Sequence, residues 1–314
     1  MKQNTNITVL LMALSLLFAV SCKDYSQNQI NKETATRGDI KIAVDEAYKL
    51  MVEAEVEVFE NLYKYANITS IMASEDSVLS LFMADSVRLM ITSRNLTTNE
   101  ENFLKEKLVI PRTTLIAWDA VAFVINKSNP NSKLRYNMIR EIFEGKVTSW
   151  NQINSASKMG NIQVVFDNQG SSNVRYIMNK FDIQTLPDYC YSASSNPAVI
   201  DYVEKNPNSI GIISVNWVSD SDDSITHAFL GRINVVAFTP EAEGDNYYTP
   251  HPAYIADKSY PFRREVYAIT RESITGLGRG FIQFVAGDSG QRIVLKMGML
   301  PATMPIRLIQ TRSE

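Results

Sequence analysis

The chain has 314 residues, 45% of them apolar and 21% charged, with a net charge of −3. At about 150 residues per domain this length suits two domains, and slight acidity without a long basic block argues against nucleic acid as a partner. Two histidines and two cysteines argue against a multi-histidine or cysteine-rich metal site, so neither a metal nor a cofactor is expected.

At the N-terminus Lys2 precedes the apolar run "ITVLLMALSLLFAV", then "SC" and the polar stretch "KDYSQNQINKETATRGD". A short apolar core ending in small residues is a secretory signal, too short for a membrane span. Ala19-Val20-Ser21-Cys22 resembles a bacterial lipobox, with Ala19 where Leu is usual. That implies a lipoprotein signal over residues 1–22, with Cys22 as the lipidated first residue of the mature chain. An ordinary signal peptide with an incidental cysteine is the other reading. At about 0.8 kcal/mol per buried CH₂, a multi-chain anchor is effectively permanent. Residues 23–37 lack apolar periodicity and read as a flexible stalk. Cys190 then has no intramolecular partner and reads as a buried thiol.

Next, "GDIKIAVDEAY" reads as a strand over 40–44, a loop and a helix start. The helix carries Leu50, Val52, Val56, Phe59, Leu62 and Tyr63 on one face, with its glutamates as a solvated face. "ITSIMASEDSVLSLFMADS" repeats the unit, with Ser74-Glu75-Asp76-Ser77 as the turn. "SVRLMITSRNLTTNEENFLKEK" repeats it again, its strand over 88–91 and its helix opened by a capping box of Thr98 with Glu101. Strands alternating with helices predict an α/β fold with a mainly parallel sheet, ligands sitting beyond the strands' carboxyl ends.

An apolar strand over 120–125 then ends in the turn-rich "NKSNPNS" and suits a crossover between two lobes. Trp118 and Asp119 precede it, the aromatic reading as hinge packing. "VFDNQGSSN" follows, where an apolar run breaks at Gly170, offers Ser171 and Ser172, and enters the helix "NVRYIMNKF". Backbone N–H groups and serine hydroxyls at a helix N-terminus cradle small anions, although the same serines serve equally as N-caps. Beyond lie a strand over 234–238, an acidic loop over 220–223, the return strand "RREVYAITRE" and a glycine-bounded helix pair. No G-x-S-x-G elbow surrounds Ser171, and neither His227 nor His251 sits in a motif that makes it a base, so no enzyme is expected.

"AWDAVAFVINKSNP", "IREIFEGKVTSWNQI", "NPNSIGIISVNWV", "YPFRREVYAI" and "GFIQFVAGDSGQRIVLKMGMLP", in that order, resemble the phosphate-binding proteins of phosphate ABC transporters, of the type II periplasmic solute-binding superfamily. The resemblance implies a two-lobed fold with two crossing hinge strands. Lobe 1 would hold residues 38–120 and 264–314, and lobe 2 residues 121–263. It also implies phosphate capture without chemistry, an ABC permease as partner, a monomer, and a bacterial cell-envelope location facing the periplasm or the exterior.

The family's first ligand loop, rich in Gly, Ser and Thr, corresponds to Asp45, Glu46 and Ala47, which equally suit first-turn helix acids. Its second corresponds to Ser74 with Glu75 and Asp76, and its third to Thr92, Ser93 and Arg94. Its fourth, typically Arg-x-x-Gly-Ser-Gly-Thr, corresponds to Asp167, Gln169, Gly170, Ser171, Ser172 and Asn173, and Asp119 joins the set at the crossover. Asp167 therefore stands where an anion-pairing Arg is expected. Like charges about 4 Å apart repel by roughly 4 kcal/mol at an effective dielectric near 20. One Asp is tolerable, since it can accept a proton from the monohydrogen form, whereas three acidic loops suit tight capture only if their acids point away. Arg175 either replaces the missing guanidinium or pairs with a neighbour. Two other readings stay open: a cationic or amine-bearing solute held by Asp45, Glu46 and Asp167, and a surface scaffold lipoprotein without transport.

Overall fold

Strand after strand feeds a helix, as the alternation predicts. The structure, a computed structural model, describes residues 33–219, 224–241, 244–273 and 275–303. The signal segment with Cys22, most of the stalk and the acidic loop 220–223 lie outside the described residues.

β1 (Arg37–Asp45) runs through a 3-10 turn (Glu46–Tyr48) into α1 (Lys49–Leu62), β2 (Tyr65–Ala73) into α2 (Glu75–Met83), and β3 (Leu89–Thr92) into α3 (Thr98–Glu106). β4 (Arg112–Asn126) leaves this half for the second. There follow β5 (Lys133–Leu134), α4 (Tyr136–Phe143), α5 (Trp150–Ile153), β6 (Gln163–Phe166), α6 (Ser172–Phe181), β7 (Cys190–Ser192) and α7 (Asn196–Lys205). Next come β8 (Ser209–Ser214), a second 3-10 turn (Val215–Trp217), α8 (Ser224–Arg232), β9 (Ile233–Val235), β10 (Ala237–Phe238) and α9 (Pro252–Ala256). β11 (Arg263–Thr270) returns to the first half, followed by α10 (Leu277–Val285), α11 (Asp288–Lys296) and β12 (Leu300–Pro301).

The main sheet runs β2-β1-β3-β11-β4-β8-β6-β7. β1 is parallel to β2 and β3, and β6 is parallel to β7 and β8, while β11 and β4 pair antiparallel between them. β4 changes partners along its length, pairing with β11 up to Ala120 and with β8 from Val121. One continuous strand thus belongs to both lobes. Parallel strands covered on both faces must be apolar throughout, and β8 is buried at every residue. Gly211 in β8 lets α7 lie close, because a Cβ there would meet side-chain carbons of Val199, Val124 and Val203 within 2.8 Å. Where the long strands cross, Phe123 packs against Phe238 and Phe262 with ring centroids 4.9 and 4.6 Å away.

Several local readings change. β4 begins at Arg112, so Trp118 and Asp119 lie inside the crossover strand, with the Arg263 guanidinium 4.3 Å above the Trp118 ring. The turn over 74–77 is shorter than read, because Glu75 and Asp76 already form the first turn of α2. The capping box of α3 is Thr97 with Glu100, one residue earlier than the equally well-formed Thr98 and Glu101 frame. Glu100 also takes both terminal nitrogens of Arg94, which settles the choice. The strand over 234–238 is broken at Val236 into β9 and β10. β1 starts at Arg37, within the segment read as stalk, and Glu33 accepts a hydrogen bond from the Leu277 amide at 3.2 Å.

Candidate functional site

The carboxyl ends of β1, β2 and β3 face those of β6 and β8 across a gap that the two lobes share. Polar side chains from both lobes meet there in a closed, buried cluster.

From the first loop, Asp45 is fully buried, and its Oδ1 accepts from the Ala47 amide at 3.1 Å, capping the 3-10 turn. Its Oδ2 has no hydrogen-bond partner. Burial, reinforced by the nearby Glu75 charge, pushes Asp45 up to about 8. Glu46 crosses to the other lobe, where it accepts from the side chain of Asn196 and, at 3.4 Å, from its amide. Burial pushes Glu46 up to about 7. The Ala47 carbonyl accepts from Asn216 Nδ2 at 2.5 Å and from the Trp217 indole at 3.1 Å, again across the gap.

From the second and third loops, Ser74 stays near the rim with its hydroxyl on Ser77 at 2.9 Å. Thr92 and Ser93 are buried and donate to Glu75. Arg94 does not enter the cluster. It forms a two-pronged ion pair with Glu100 at 2.8 Å and donates to the Asn95 carbonyl at 2.9 Å.

In the fourth loop, Asp167, Ser171, Ser172 and Asn173 are buried, whereas Gln169 is exposed. Ser171 caps α6 by accepting from the Val174 amide at 3.2 Å. Asp167 points inward, accepting from Asn173 Nδ2 at 3.3 Å and Asn196 Nδ2 at 3.5 Å. Burial pushes its carboxyl up despite Ser171 and Asn173 beside it. Gly170 also reaches the other lobe: its carbonyl accepts from the Asp76 amide at 3.3 Å, and a Cβ would stand 2.9 Å from Asp76 Oδ2. Outside this loop a cavity of about 580 Å³ opens, lined by Asp76, Gln169, Gly170, Ser171 and Arg175 among others.

The guanidinium opposing these acids is one the sequence reading missed. Arg264, in β11, is 5% exposed and donates through Nε to Asp119 Oδ2 at 2.8 Å and through Nη1 to Ser172 Oγ at 3.2 Å. Its guanidinium lies 5.4 Å from the Tyr48 ring centroid. Burial works against its charge, yet Tyr48, Asp119 and Asp45 hold its pKa above the ordinary arginine value. Asp119 in turn accepts from Ser214 Oγ at 2.8 Å, and burial raises its carboxyl against the pull of Arg264. The available signal was the register of β4 and β11, which puts Arg264 opposite Asp119. Asn196, Ser214 and Asn216 were also missed, although Ser214 and Asn216 lie within the quoted stretch "NPNSIGIISVNWV".

This cluster can hold a small polar solute in two ways. Arg264, the Ser172 hydroxyl and the first-turn amides of α6, which have no intrahelical acceptors, suit an anion. Asp45 Oδ2, Asn173 Oδ1 and Asn196 Oδ1, buried without hydrogen-bond partners, suit a solute that brings hydrogens. Of the two histidines, His227 is exposed, and His251 Nδ1 accepts from the Ala253 amide at 3.2 Å as a helix cap. Cys190 is a half-buried free thiol that burial pushes up to about 12. Among the described residues, no helix is long and apolar enough to cross a membrane.

Residues 30–289 match the family model of a PBP superfamily domain. The chain is 22% identical over 315 residues to the phosphate-binding protein PstS of Bacillus subtilis, with 96% of each chain covered. It is 24% identical over 234 residues to the PstS of Staphylococcus aureus, covering 72% of this chain and 67% of that one. Among solved structures, a Clostridium perfringens protein with bound phosphate superposes with a TM-score of 0.71 at 23% identity, covering 84% of this chain and all of the other. An ABC-type phosphate transport receptor from Vibrio cholerae does so with a TM-score of 0.60 at 19% identity, covering 85% of this chain. At these identities the superpositions establish the two-lobed α/β fold.

Proposed function

This chain belongs to the PBP superfamily, and we propose that it is the solute-capturing component of a phosphate-type ABC transporter, closing its lobes over phosphate or a similar small polar anion. The observation that carries this reading is Arg264, a buried guanidinium bonded to Ser172 in the first turn of α6, at the place where the lobes meet. A helix N-terminus and a guanidinium in a desolvated gap both favour negative charge. The relatives named PstS, matched along nearly the whole chain in one case, support phosphate as the anion. The ligand is bound and handed to a membrane permease, with no bond made or broken. Cys22 anchors the mature chain to a membrane of the cell envelope through lipid, and the protein works there as a monomer.

Calorimetry of the ligand-free protein with phosphate at neutral pH tests this. Binding that Ser172→Ala weakens about tenfold or more is the expected result, and no heat with millimolar phosphate overturns it. A second reading, an amine-bearing solute, is favoured by the buried acceptors Asp45 Oδ2, Asn173 Oδ1 and Asn196 Oδ1. A panel of small amines titrated in the same way distinguishes the two.

A further inference from the structure

Glu75 stands at the start of α2, in the lobe opposite α6, and its side chain is almost fully buried. Its Oε1 accepts from the Thr92 hydroxyl at 2.6 Å, the Ser93 amide at 3.2 Å and the Ser93 hydroxyl at 2.9 Å. From the other lobe Arg175 closes on the same carboxylate, Nη2 reaching Oε1 at 3.1 Å and Nε reaching Oε2. Nη2 also donates to Ser93 Oγ at 2.7 Å, which ties the donors to one another. A hydroxyl pair, a backbone amide and a guanidinium fork converging from two lobes make a complete anion receptor. Here it is filled by the chain's own carboxylate. Burial alone would push Glu75 up, but Arg175, Thr92 and Ser93 outweigh it and hold the carboxyl below its usual range.

We propose that Glu75 is a tethered stand-in for an anionic solute: it occupies the Thr92–Ser93–Arg175 donor set, latches the lobes together without a ligand, and must be displaced for an anion to use those donors. The displacement step rests on the reading of the cleft as an anion site; the latch does not. Neighbouring contacts reinforce the closed arrangement, since Asp76 bonds to Gly170 and Glu46 to Asn196 across the same gap. A covalently attached carboxylate competes at high effective concentration, so solute affinity is set by the difference between two anions in one receptor. Glu75 thereby determines which solutes are bound tightly enough to replace it.

The test combines small-angle scattering and calorimetry on the wild-type chain, Glu75→Gln and Arg175→Met, with inorganic phosphate as probe. Trp217, whose indole bonds across the gap to Ala47, gives a parallel fluorescence readout of opening. The ligand-free wild type is expected to be compact, and both variants expanded with shifted tryptophan emission. Glu75→Gln is expected to bind phosphate at least tenfold more tightly than wild type, whereas Arg175→Met, which loses a donor, gains nothing. Equal dimensions for all three ligand-free proteins overturn the latch, and weaker phosphate binding by Glu75→Gln overturns the competition. If both variants expand and neither they nor the wild type bind phosphate, the latch stands and the anion reading of the cleft falls.

Discussion

Asp119 and Arg264 face each other in register across the two crossing strands, both buried, with Nε 2.8 Å from Oδ2. The pair sits where β4 passes from one lobe to the other, and Ser172 and Ser214 of the second lobe bond to its two ends. A charge pair at this crossing joins the hinge to the cleft.

Removing one member leaves the other charge buried without compensation, a loss of about 3–5 kcal/mol. Asp119→Ala should therefore lower the thermal midpoint by roughly 10 °C at about 2–4 °C per kcal/mol. The double variant Asp119→Leu with Arg264→Met should recover most of that stability, because the stranded charge is gone. Differential scanning calorimetry of the three proteins measures both effects.

Arg94 resembles a ligand residue in sequence but is committed to Glu100, whose carboxyl it holds down at about 2. Arg94→Ala should leave phosphate affinity within about twofold of wild type. Its stability cost should stay near 1 kcal/mol, because the pair is partly exposed at the surface. Calorimetry and thermal melts check the two halves of this prediction.

Asp167 lies in the cluster as an inward-facing buried carboxylate rather than turned to solvent. Asp167→Asn keeps the shape and an acceptor for Asn173 while removing a charge that an anion would oppose. Phosphate should bind the variant about tenfold more tightly, well within the roughly 4 kcal/mol available between like charges at 4 Å and an effective dielectric near 20. Unchanged or weaker phosphate binding, measured by calorimetry, would count against an anion in contact with this residue.

Buried carboxyls, Asp45, Glu46, Glu55, Asp119 and Asp167, give the ligand-free protein an acid-side stability optimum. Burial pushes Glu46 to about 7, Asp45 to about 8 and Glu55 to about 9, and both Glu55 oxygens lack hydrogen-bond partners. Each folded value lies above the unfolded one near 4, so the stabilisation is complete below about pH 4 and drains away as pH rises through 7 to 9. Glu75 and Glu100 are shifted the opposite way, and their contribution is lost only in more acid solution. The thermal midpoint should fall between pH 5.5 and pH 8.5. Glu55→Gln should flatten that decline by about 1.4 kcal/mol per pH unit.

Much of the architecture was legible along the chain. The recurrence of apolar run, polar turn and amphipathic stretch specified strands feeding helices, because each element's period is a local property of the backbone. The change of partners on β4 at Ala120 and Val121 falls where an apolar strand long enough to serve two lobes was read. Ser171 as a cap was legible for the same reason: a cap depends on residues three apart. Boundaries were less so. Thr97 and Thr98 present equally good capping frames, and only the extra bonds from Arg94 to Glu100 separate them.

What the sequence by itself determined was therefore periodicity, order of elements, and which loops gather at the strands' carboxyl ends. Tertiary structure alone decided the charge partners, since these depend on distances between segments far apart in the chain. Arg94 and Arg175 look alike as isolated cations, yet one reaches only to the helix just after it and the other crosses to Glu75, a hundred residues away in sequence. Arg264 lay within the quoted stretch "YPFRREVYAI" without any assigned role and became central only because antiparallel pairing set it opposite Asp119. Electrostatic energy varies with separation and burial, and neither quantity is written in the local pattern of residues.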